Sequence, residues 1–195
     1  MRWLSAAACV SGLALAVAAL SQLLEWRTAR AWFLLAWAIL LFVVLAALLI
    51  HPMRWPAWGL FVGFWGAVCA LFLVVLQVLA VAGVLRQPAY GEWVAWPLAV
   101  VAIWILVPSA LGWGNGTVPR VVDAFGMLSA AGLLSLSAAS WIAASDAARV
   151  AAGVAAILYS VWAVSLGIVF WRLGSKSDVT MNLQPARVER SSTPT

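Results

Sequence analysis

Apolar residues run along this chain in six blocks, each long enough to cross a bilayer, and polar residues gather only in the short breaks between them. The blocks cover about 3–24, 31–50, 57–85, 93–113, 121–144 and 147–171. A hydrocarbon core about 30 Å thick is crossed by ~20 residues of helix, and in lipid a helix satisfies its own backbone polar groups. The pattern therefore predicts an all-α fold, a polytopic transmembrane helical bundle with six membrane-spanning helices and short loops. It makes one membrane domain over 1–173. The remaining 174–195 are rich in Ser, Thr and Pro with mixed charge, which predicts a disordered cytoplasmic tail.

The breaks have recognisable chemistry. Pro52 and Pro56, with His51 and Arg54, stop the second block, and Gly114, Asn115 and Gly116 read as a turn before Pro119. The third block, at 29 residues, would make a helix of ~43 Å and is expected to tilt or to project past the interface. Pro97 stands in the first turn of the fourth block and Pro108 near its end, so a kink or an early stop is expected there. Ser145 or Asp146 is placed to cap the sixth helix. The first block is too long for the apolar part of a signal peptide, about 7 to 15 residues, and reads as a span.

Composition reinforces the pattern: 66% of residues are hydrophobic and 9% charged, against about 45–50% apolar in globular domains. A net charge of +5 raises nucleic acid as a partner, but the 11 Lys and Arg residues are scattered singly, without the clustered face that phosphate backbones require. Topology explains them better. With six spans the termini share a side, which holds Arg2, Arg54, Arg120, Arg172, Lys176, Arg187 and Arg190, against Arg27, Arg30, Arg86 and Arg149 on the other. Positive charge favours the cytoplasm, which predicts a multi-pass cell-membrane protein with both termini inside. Without the four tail residues the count is three against four, so the tail carries that orientation.

Of 14 tryptophans, nine fall near a predicted interface, where an indole buries its ring and keeps its N–H wet. Trp37, Trp65, Trp96, Trp104 and Trp162 lie deeper and need a carbonyl partner or a cavity. Small residues mark packing faces, because close backbone approach supplies much of helix association in lipid. Gly153, Ser160 and Gly167 recur every seven residues in the sixth span, and Ser5, Gly12 and Ala19 do so in the first. Ala131, Ser135 and Ala139 make a four-residue row in the fifth. These rows predict packing among spans one, five and six, with Gly12, Gly153, Ser160 and Gly167 at the contacts.

Few side chains are equipped for chemistry. Gln77 is the only amide well inside a span, and it is expected to tie two helices together or to touch a ligand. Asp123 is placed as a dipole-stabilised cap, and Asp146 with Arg149 as a surface pair. His51 is the sole histidine, and the two cysteines, Cys9 and Cys69, are apart in apolar runs, so no haem or zinc ligand set and no cofactor is expected. The only lysine, Lys176, lies outside the spans; the Asn115-Gly116-Thr117 sequon is too short a pattern to assign a role. No phosphate loop, nucleophile elbow, proton relay or polar path is visible.

These observations favour an accessory or structural subunit of a membrane assembly, packed against the lipid bilayer and against other membrane subunits or a second copy, over any enzyme. The alternative is a substrate-binding component of a small-molecule transporter, with Gln77, Trp65, Trp96 and Trp104 around a pocket between spans three and four. In length and span count the chain resembles the substrate-binding subunits of energy-coupling-factor vitamin transporters. That resemblance is one of architecture, and it implies no particular binding residue.

Overall fold

A computed structural model describes residues 2–50, 57–85, 89–115, 118–142 and 145–183, the last of these from 173 onward as backbone. His51, the Arg86 loop, the Gly116 and Thr117 part of the sequon and residues 184–195 lie outside the described residues. Six helices follow one another: α1 (Arg2–Leu23), α2 (Arg27–Ile50), α3 (Ala57–Val81), α4 (Ala89–Asn115), α5 (Arg120–Trp141) and α6 (Ser145–Leu183). All six are long and apolar enough to cross a membrane, and no strand occurs among the described residues.

α2 begins at Arg27, four residues before the expected 31, and α5 ends at Trp141 where 144 is expected; α3, α4 and α6 differ as well. α3 stops at Val81 because Gly83 adopts φ 73°; its N–H donates to the Ala80 carbonyl at 3.1 Å and the Val84 N–H to Leu79 at 3.0 Å. That is a Schellman end, which glycine accepts without steric cost. α4 begins at Ala89 and runs to Asn115 through both prolines, so Pro97 sits in its third turn and Pro108 does not terminate it. In lipid an interrupted helix has no water to turn to, and the adjacent Ser109 hydroxyl donates to the Ile105 carbonyl at 2.9 Å. α6 is helical to Leu183, well past 171.

Each helix packs on its neighbours in sequence, and α6 returns to α1. The six thus form a closed ring in which, among the described residues, no other pair of helix backbones lies side by side. One apolar cluster drawn from all six fills the interior, with Trp37 of α2, Trp104 of α4, and Tyr159 and Trp162 of α6 as its largest members. Tyr159 meets Trp37 edge-on at 5.9 Å between centroids and Trp162 at 5.6 Å.

Candidate functional site

The α1–α6 seam is built from the two heptad rows of small residues. Ser5 Oγ donates to the Gly167 carbonyl at 2.6 Å, and Ser160 Oγ donates to the Gly12 carbonyl at 2.7 Å. Seven residues along α1 match seven residues back along α6, so the two rows mesh in antiparallel register. A Cβ on Gly167 would lie 2.5 Å from Cys9 Sγ, and one on Gly12 would lie 3.0 Å from the Ser160 carbonyl oxygen. Between these contacts Ser11 Oγ and Tyr159 Oη share a hydrogen bond of 2.7 Å.

The third step of the register, Ala19 opposite Gly153, opens instead of closing. A Cβ on Gly153 would meet nothing within 4 Å. Both residues line a cleft of about 840 Å³ between α1, α6 and the start of α2. Its mouth carries Glu25, Arg27, Arg30 and Arg149, and its walls are apolar, with Leu20, Ile157 and Val161 among them. Glu25 ends α1 with φ 56°, its N–H donating to Gln22 at 3.3 Å and the Trp26 N–H to Ser21 at 2.9 Å. This is the same Schellman geometry as at Gly83, here imposed on a residue with a side chain.

α5 packs on α6 through Gly132, whose Cβ would lie 3.1 Å from Ala155 Cα. The Ala131–Ser135–Ala139 row is not that contact: Ala131 and Ser135 are exposed, and Ser135 Oγ bonds within its own helix. Among the described residues the backbones of α5 and α1 do not lie side by side, so α6 joins the three helices expected to pack together. Asp123 is no cap either. Pro119 occupies the N-cap position without a side-chain bond, while Asp123 is buried against Gly112 of α4 with Oδ2 lacking a hydrogen-bond partner in the protein.

The four residues expected around a pocket are dispersed. Gln77 is buried, and its amide nitrogen donates to the Tyr90 hydroxyl, tying α3 to the start of α4. Trp104 is buried across Gly66 of α3, whose Cβ would lie 2.4 Å from the indole. Trp65 and Trp96 are 47% and 62% exposed, the latter stacked edge-on against Trp141 at 5.0 Å. Neither of two cavities, the cleft and a shallower one between α5 and α6, is lined by any of the four. The cleft is not among the sequence expectations. Its signal was three arginines at the ends of spans on one membrane side, next to the last small residue of two packing rows.

Chemically, the described residues bring together no group of three His, Cys, Asp or Glu side chains suited to a metal ion. Cys9 and Cys69 are free thiols. No protein-family model, characterised protein or solved structure matches this chain.

Proposed function

We propose that this integral membrane protein is an accessory subunit of a membrane assembly, seated in the cell membrane with both chain ends in the cytoplasm. What supports this reading is the use made of four polar side chains inside the ring. Ser5, Ser160 and Ser137 each donate to a carbonyl of a neighbouring helix, and Gln77 bonds Tyr90, so these groups fasten helices instead of facing a reactant. The outer face of α3, with Phe61, Phe64, Trp65 and Phe72 exposed, offers a continuous apolar surface to lipid or to a partner helix.

Isolation of the tagged chain from its own membranes in mild detergent tests this directly. A second membrane polypeptide in stable stoichiometry is the expected result; a single species, both in detergent and after crosslinking in the membrane, would discard the subunit reading. Tag accessibility at the two chain ends tests the orientation, with protection in intact cells expected at both.

A second reading, a substrate-binding component of a transporter, is favoured by the α1–α2–α6 cleft, whose volume lies within the range of about 300–1,000 Å³ usual for ligand sites. The Gln77, Trp65, Trp96 and Trp104 set remains the alternative location for such a ligand, and Trp104→Phe with Gln77→Leu is the pair of variants that would weaken it.

A further inference from the structure

We propose that the cleft between α1, α6 and the start of α2 holds one anionic phospholipid, taken from the leaflet opposite the end of the bundle where α1 begins. The argument starts from charge. Three arginines, Arg27, Arg30 and Arg149, stand at the mouth with a single carboxylate, Glu25. Asp146 lies 4.0 Å from Arg149, but at 95% exposure it is a solvated partner that leaves the guanidinium available. A guanidinium fork matches phosphate oxygens in two parallel hydrogen bonds, and helix-end arginines reach headgroup level by extending their stems along apolar surface.

Depth agrees with one leaflet. From Arg149 to Val161 the cleft follows α6 for twelve residues, or ~18 Å, against ~15 Å for half of a hydrocarbon core. Below the charged mouth the floor is made of small residues, Ala19, Gly153 and Ala156, and the sides of aliphatic ones. A water-soluble anion would leave that lower part empty, whereas an acyl chain fills it. The cleft accommodates the headgroup and upper chain of one lipid, and the rest lies along the exposed flanks of Leu20 and Ile157. The net positive mouth selects a phosphate without a compensating ammonium. This site stands independently of whether the protein is a subunit of an assembly.

The full chain, purified in mild detergent, is titrated with dioleoyl phosphatidylglycerol, with the phosphatidylcholine and phosphatidylethanolamine of the same chains, and with oleate, while bound lipid is counted by native mass spectrometry and stability by thermal melting. Phosphatidylglycerol is expected to bind one to one and raise the melting temperature, and the other three to bind more weakly. R27Q with R30Q should weaken it by about 25-fold, about fivefold for each arginine. A Cβ on Gly153 would meet nothing within 4 Å, so Gly153→Leu extends into the open cleft and should fold as the wild type and lose the lipid. Retention of phosphatidylglycerol at wild-type affinity in both variants overturns the site. Equal binding of the zwitterionic lipids or of oleate overturns the assignment to an anionic phospholipid.

Discussion

Ser160 Oγ lies 2.7 Å from the carbonyl oxygen of Gly12 and 2.6 Å from that of Ala156, so one hydroxyl serves its own helix and the neighbouring one together. The approach exists because Gly12 has no side chain to hold the backbones apart. The same holds at Gly167, and not at Gly153, although all three belong to matching rows.

That contrast gives the first prediction. Gly167→Leu forces a side chain into Cys9 and the Ser5 carbonyl and should abolish a monodisperse, thermally stable species in detergent. Gly167→Ala should already lower stability by about 1–3 kcal/mol. Gly153→Ala should be neutral or raise the melting temperature, since alanine is the better helix former by about 1 kcal/mol. Equal melting temperatures for all three variants would remove the seam as the basis of α1–α6 packing.

The two Schellman ends form a natural control for each other. Glu25 adopts the left-handed conformation at φ 56° with a side chain, and Gly83 adopts it at φ 73° without one. Glu25→Gly should stabilise the fold by about 1 kcal/mol and Gly83→Ala should destabilise it by a similar amount, read by thermal unfolding. Because Glu25 also offsets arginine charge at the cleft mouth, Glu25→Gln should tighten binding of phosphatidylglycerol while leaving the backbone cost in place.

Ser11 and Tyr159 invite a double-mutant cycle. Each single variant, Ser11→Ala or Tyr159→Phe, leaves a buried hydroxyl without its partner and should cost about 1 kcal/mol or somewhat more. The double variant should cost less than the sum of the two, with a coupling of about 0.5–2 kcal/mol. Strict additivity of the melting free energies would mean that the 2.7 Å contact contributes nothing specific.

Asp123 and Gly112 should show compensation. A Cβ on Gly112 would lie 2.6 Å from Asp123 Oδ1, in a place where the short aspartate side chain is itself buried. Gly112→Ala should therefore lower stability by about 1–3 kcal/mol, and adding Asp123→Ala should restore most of it. Loss of stability that persists in the double variant would place the conflict elsewhere in α4.

The spans were legible because ~20-residue apolar blocks have few other uses, and the positions of Ser5, Gly12, Ser160 and Gly167 were legible because lipid leaves close backbone approach as the main means of association. What eluded the sequence was set by tertiary context. Alanine is so abundant that the row at Ala131, Ser135 and Ala139 imitated a contact made instead by Gly132. Pro108 reads as a kink or an early stop by the rules of aqueous helices, but a span gains from staying helical until it has cleared the lipid. Trp65 and Trp96 lie within spans as Trp104 does, and only the ring geometry decides which indoles face inward. Gly153 continues its heptad faithfully, and nothing in that spacing announces that the helices have parted there.

The hydroxyls of Ser5 and Ser11 on the first helix find their partners on the sixth, about 150 residues later in the chain. Biosynthesis must therefore deliver five helices into the bilayer before either polar group can be matched. Until the last one arrives, the intermediate is an unsealed arc with serines turned toward lipid. A nascent chain stalled before residue 145 should be a substrate for membrane quality control, and the final helix acts as the latch of the whole bundle.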